Sequence, residues 1–170
     1  EIFLRPVRIS DEPLLKDFFY SLSDESLQRR FMSVLKSIPH ERLQNFVVID
    51  FSKEMVILAL INPEDEREQV VGLGQFSIND VTHTADVAFA VRDDFQGQGI
   101  GMELLKYLTL LAKRRGLLGF TADVLADNWR MLHLFGKMGF DVQKRLEAGA
   151  YEFKMMFKGE NSSRAQNRDE

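Results

Sequence analysis

The sequence contains no cysteine, which excludes a disulfide framework, a thiolate zinc site and a cysteine nucleophile. Its 3 histidines, at positions 40, 83 and 133, are scattered, so no metal site is expected. No apolar run reaches the ~18 residues of a membrane span. The longest, Met55 to Ile61, suits a buried strand. No basic-then-apolar leader opens the sequence given. An excess of positive charge is missing as well: the formal net charge is −4 and the pI is near 5.5. That balance argues against broad electrostatic binding to nucleic acid. The expectation is a cytoplasmic protein with neither a membrane nor a nucleic-acid partner. Because the chain starts at Glu1 rather than methionine, it is read as a piece of a longer polypeptide.

What is present is an ordinary globular composition, 45% hydrophobic and 28% charged. A chain of 170 residues corresponds to about one domain and buries roughly 70% of its unfolded surface. Neither an internal repeat nor a linker interrupts it. A domain over residues 1–158 is expected, followed by a polar, disordered tail over 159–170.

The periodicity begins with a strand over 2–8. Ser10-Asp11-Glu12-Pro13 then starts a helix, with a hydroxyl or carboxylate as its cap. Ser23 restarts a helix whose apolar face is Leu27, Phe31, Val34 and Leu35, and Pro39 opens a third through Leu43, Phe46 and Val47. Strands follow at 55–61, 70–78 and 84–91, joined by short polar links that imply an antiparallel meander. In the second of these, Gly72 and Gly74 predict a bulge or a close neighbour. The clearest helix runs over 99–115, striped by Ile100, Leu104, Leu108, Leu111 and Ala112 and ended by Gly116. A strand over 118–125 after it suggests a parallel crossover. A helix over 128–138 and an antiparallel pair, 140–145 and 150–157, complete the sheet.

The chemistry concentrates at Phe89-Ala-Val-Arg-Asp-Asp-Phe-Gln-Gly-Gln-Gly-Ile-Gly101, a strand, a glycine-rich loop and a helix start. Glycines 97, 99 and 101 let backbone amides approach an anion, and the helix N-terminus points its free N–H groups there too. A diphosphate fits; so does a loop that needs glycine only for its turn. The spacing is not G-x-G-x-x-G, and Gly101-Met102-Glu103 lacks the lysine and hydroxyl of a P-loop.

Gln96-Gly97-Gln98-Gly99-Ile100-Gly101 resembles the coenzyme A pyrophosphate loop of the GNAT superfamily of acyltransferases. The order of elements resembles it too, as do Leu125-Ala-Asp-Asn128 and Gly136-Lys-Met-Gly-Phe140. Within that superfamily, Leu4-Arg-Pro-Val-Arg8, Phe18-Phe-Tyr-Ser-Leu-Ser-Asp-Glu-Ser26, Arg30-Phe31 and Ile49-Asp-Phe-Ser-Lys-Glu-Met55 resemble bacterial Pat-type protein lysine acetyltransferase domains. The resemblance implies an α/β GNAT fold: a mixed, mostly antiparallel sheet with helices on both faces and a parallel strand pair splayed around the cofactor. It implies acetyl-CoA as cosubstrate, a protein lysine of an acyl-CoA synthetase as acceptor, and a fused or regulatory module as partner. Carried over by position, the backbones of Phe89 and Val91 would pair with the pantetheine arm. Gln96, Gly97, Gln98, Gly99, Ile100 and Gly101 would hold the diphosphate, and Asn128 would meet the cofactor where the strands part.

An acceptor amine near pKa 10.4 is almost wholly protonated at neutral pH, so transfer needs a base. The Pat-type pattern has glutamate on the strand before the loop; here Asp86 stands in that place, a methylene shorter. Unless burial raises its pKa it is a weak base, and a solvated strand residue is the bland alternative. Many GNAT enzymes carry a tyrosine acid in the last helix where this chain has Phe135, which has no proton to donate. Arg92, His133 and Trp129 are read as a solvated strand-end charge, a structural histidine and a packing residue. Two further functions stay open: a non-catalytic acyl-CoA sensor and a small-amine acetyltransferase.

Overall fold

The computed structural model describes residues 1–33, 35, 37–62 and 67–158. Val34, part of the 62–68 loop and the proposed disordered tail lie outside the described residues. The chain runs β1 (Phe3–Pro6), α1 (Glu12–Ser21), α2 (Asp24–Phe31), α3 (His40–Val47), β2 (Glu54–Ile61), β3 (Gln69–Asn79), β4 (Thr84–Val91), α4 (Ile100–Arg114), β5 (Gly119–Leu125), α5 (Trp129–Lys137), β6 (Asp141–Glu147) and β7 (Ala150–Met156). A 7-stranded sheet has the order β1-β2-β3-β4-β5-β7-β6. Only the β4–β5 pair is parallel. No helix among the described residues is long and apolar enough to cross a membrane.

β2 is apolar without alternation because both its faces are covered. Met55, Ile57 and Ala59 pack into the core shared with α4 and with Phe135 of α5. Val56, Leu58 and Leu60 pack into the core shared with α1 and α3. The expected helices on both faces follow. The pairing register slips between Ala59 and Leu60. That slip leaves Val71, beside Gly72, as an extra residue on β3, and both glycines also serve close approach: a Cβ on Gly72 would lie 3.0 Å from Ile100, and one on Gly74 3.0 Å from Leu108. These two positions let α4 settle directly onto β3.

Several boundaries differ from the sequence reading. Asp11 does not cap α1 with its side chain. Its carboxylate instead accepts from Arg5 Nη1 and Nη2 at 2.7 and 2.8 Å and from the Arg8 amide at 2.6 Å. α2 ends at Phe31 because Met32 turns left-handed, with φ 59°; Leu35 reaches the core from outside the helix. β5 begins one residue late, leaving Leu118 exposed. The last hairpin is β6 over 141–147 and β7 over 150–156, with β6 exposed along its whole length.

Candidate active site

The parallel pairing of β4 with β5 covers only Thr84–Gly119, Ala85–Phe120 and Asp86–Thr121. Beyond Asp86 the two strands diverge into a fork. On the other side β4 stays paired with β3 as far as Val91, and the Arg92 amide donates to Val71 O at 2.8 Å. Peptide groups alternate sides along a strand. Since Arg92 faces β3, Val91 and Phe89 turn their N–H and C=O groups into the fork, where no strand meets them. These are the backbone groups that the resemblance assigns to pairing with an extended ligand.

At the open end of the fork sits the glycine loop. Gly97 and Gly99 have φ of 75° and 90°, and Gly99 is the residue at which α4 begins. A side chain at either position would have to occupy the left-handed region. The first amides of α4 have no carbonyl one turn back and carry the positive end of its dipole. The Gln96 side chain does not point at them. Its Nε2 donates to Val91 O at 3.0 Å and to Ser26 Oγ at 3.2 Å, pinning the loop to β4 and α2. Asp93 strengthens the link, accepting from the Ser23 amide and hydroxyl at 2.9 and 2.8 Å and from Ser26 Oγ at 2.7 Å. Burial alone would raise the Asp93 pKa, but these hydrogen bonds hold it below the ordinary carboxylate value.

A cleft of about 380 Å³ opens where these elements meet. Of the residues carried over from the resemblance, Phe89, Val91, Gln96, Gly97, Gly99, Ile100, Gly101 and Asn128 line it. Gln98 does not; its side chain is exposed and donates to Asp94 O at 3.2 Å. Asn128 caps α5, its Oδ1 accepting from the Met131 amide at 3.4 Å. The sequence reading missed Arg29, Arg30, Arg130 and Lys137, which also line the cleft, while among the described residues no carboxylate does. This is a cationic pocket in an anionic protein, and it fits a diphosphate. Trp129 corrects another expectation: at 63% exposure it packs into no core, but stands at the cleft with the Arg130 guanidinium 5.2 Å from its ring. Arg92 is paired with Asp94 at 2.7 Å, and His133 lines the cleft. His40 pairs with Glu12.

Asp86 lies at the crotch of the fork, as the last residue of β4 paired to β5. It opens onto a separate polar trough with Thr121, Asp123, Lys154 and Glu152. Thr121 Oγ1 donates to its Oδ1 at 3.0 Å. Burial raises its pKa above the usual carboxylate value and the Asp123 charge adds to this; the Thr121 hydrogen bond and the Arg30 charge only partly offset them. Phe135 is 1% exposed, packed between Phe89 and Phe153 with centroids 6.4 and 5.5 Å away. No hydroxyl stands at that point.

A strand fork entered from a helix N-terminus is built to seat an extended ligand that carries a phosphate. The model of the acetyltransferase (GNAT) family matches residues 18–140, and the chain belongs to that family of N-acetyltransferases. It is 26% identical over 143 residues to acetyltransferase PA5475 of Pseudomonas aeruginosa, covering 84% of this chain and 76% of the relative. It is 33% identical over 139 residues to the acetyltransferase Pat of Mycolicibacterium smegmatis, covering 81% of this chain but only 40% of that protein. Among solved structures, the GNAT domain of S. lividans PAT superposes with a TM-score of 0.81 at 25% identity, covering 91% of this chain and 89% of that one.

Proposed function

We propose that the domain transfers acetyl from acetyl-CoA directly to a protein lysine, with an acyl-CoA synthetase as the kind of acceptor. The observation that carries this reading is the placement of Asp86. A ligand seated by its diphosphate at α4 and running along β4 would reach the crotch about 17 Å further on, at the strand rise over the five residues from Val91 to Asp86. That is the scale of an extended pantetheine arm, so the thioester end would lie beside Asp86. The similarity to Pat supports lysine as acceptor.

When bound, acetyl-CoA supplies the acyl group and a thiolate leaving group. Each remaining role falls to a residue of the chain. The Phe89 and Val91 peptide groups hold and polarise the extended ligand. Asp86, in its ionised form and with basicity raised by burial, takes the ammonium proton directly or through a water, freeing the lysine nitrogen to attack the thioester carbon. Phe135 offers no proton, so the departing sulfur takes one from solvent or from the nitrogen that has just been acylated.

Turnover tests the reading. Wild type should acetylate a lysine of a purified acyl-CoA synthetase. Asp86→Ala should keep its acetyl-CoA affinity and lose roughly 10²- to 10⁴-fold in rate, the usual contribution of a general base. Tight acetyl-CoA binding without transfer to any protein or small amine would make the domain a sensor instead.

A further inference from the structure

Beside the fork, on the α1–α3 side of the sheet, lies a cavity of about 260 Å³ that the acetyl-transfer reading leaves unused. β2 and β3 line it through Val56, Gln75 and Phe76, while α2 and α3 contribute Arg30, Phe31, Arg42 and Phe46. Arg30 lines both this cavity and the cofactor cleft. Both arginines approach one aromatic ring: the Arg30 and Arg42 guanidiniums lie 5.1 and 4.8 Å from the Phe31 centroid.

Such a pair of like charges is costly without an anion between them. Arg30 Nη2 donates to Gln75 Oε1 at 2.6 Å, yet its Nε is sealed from solvent and has no hydrogen-bond partner among the described residues. Among the described residues neither arginine is in an ion pair. Glu54, the carboxylate on the cavity wall, accepts from Ser77 Oγ at 3.3 Å. Burial and the Arg42 charge lower the Arg30 pKa to about 10, with Asp86 partly offsetting them, so the guanidinium is still charged at neutral pH. A guanidinium presents a planar fork of donors that matches a carboxylate. The apolar wall of Phe31, Phe46 and Val56 suits the methylenes that would carry it.

We propose that Arg30 and Arg42 form a carboxylate subsite adjoining the reaction centre. The carboxylate comes either from the far end of a dicarboxylic acyl thioester or from an acidic group on the acceptor. The inference rests on the acyl-transfer reading of the neighbouring cleft.

Calorimetry with acetyl-CoA and succinyl-CoA tests the donor source. Wild type should bind succinyl-CoA about tenfold more tightly, the scale of one charge-assisted hydrogen bond. Arg30→Gln and Arg42→Gln should each collapse that ratio. KM for lysine peptides flanked by glutamate or by glutamine, at saturating acetyl-CoA, tests the acceptor source. An acidic-peptide advantage that vanishes in Arg42→Gln supports it. Arg42 lies on the exposed side of α3, so this variant carries the test even where Arg30→Gln fails to fold. Equal affinity for the two thioesters together with equal KM for the two peptides overturns the subsite alone. So do preferences that persist in both variants. Failure of wild type to bind either thioester overturns the acyl-transfer reading, and the subsite falls with it.

Discussion

Asp86 carries opposed demands on one side chain. Its raised pKa means that the native state holds a proton the unfolded chain releases at lower pH. Stability therefore falls as pH rises from the ordinary aspartate pKa through the native one, and the full cost is reached only above the native value. Asp86→Asn keeps a partner for the Thr121 hydroxyl and removes the charge. Its melting temperature at pH 7 should equal or exceed that of wild type, and the advantage should shrink below pH ~4, where the ordinary aspartate is protonated. The acidic limb of kcat/KM should lie above the ordinary aspartate value, with activity lost as pH falls through it, and should move in Asp86→Glu. A limb unmoved in Asp86→Glu would assign it to another group and leave Asp86 as a strand residue beside the fork. The candidate base was legible because one strand position carries it. Arg30 was not, since its proximity to Asp86 arises from α2 folding over β3 rather than from any sequence spacing.

At the level of elements, α4 and its loop were legible because every signal is local: three glycines, an apolar stripe at helical period and a glycine stop. α2 was overextended because Val34 and Leu35 continue its apolar spacing, while the backbone reverses at Met32 through a left-handed residue that has no strong sequence mark. The loop glycines differ in what a side chain would meet. Gly99 has φ 90° and no heavy atom within 4 Å of where a Cβ would stand, so a side chain there costs only backbone strain, about 1–2 kcal/mol. Gly101 has no such φ, and a Cβ would rest 3.5 Å from Leu134, an ordinary contact. Gly99→Val should lower both the melting temperature and coenzyme A affinity. Gly101→Leu should leave the melt nearly unchanged and weaken coenzyme A by more than about tenfold, because its bulk enters the cleft. Unchanged affinity in calorimetry with Gly101→Leu would move the diphosphate seat away from this helix end.

Over the whole molecule, the net charge of −4 and the charge of the cleft have opposite signs. The composition argues against a broadly basic surface, but could not reveal a small cationic pocket, because its arginines and lysine lie on α2 and α5, far apart in sequence. The sheet order brings them together: β4 and β5 part at Asp86, α2 spans the gap, and Arg29 approaches Asp127 beyond β5 at 4.0 Å. On the acetyl-transfer reading, coenzyme A would approach a repelling surface but end in an attracting cleft, so salt would act on two opposed terms. Screening weakens the distant repulsion and the local attraction alike, with a Debye length of about 10 Å at 0.1 M salt and about 3 Å at 1 M. The short-range attraction at the phosphates would be the larger, since among the described residues no carboxylate lines the cleft. Coenzyme A affinity should therefore fall several-fold as salt rises from ~0.1 to ~1 M. Arg130→Gln and Lys137→Gln should each flatten that dependence, and the double variant should flatten it further. Asp93→Asn should leave the slope alone, because Asp93 holds α2 to the loop without lining the cleft. An affinity that rises with salt would mean that the global charge dominates and that Arg130 and Lys137 do not meet the phosphates.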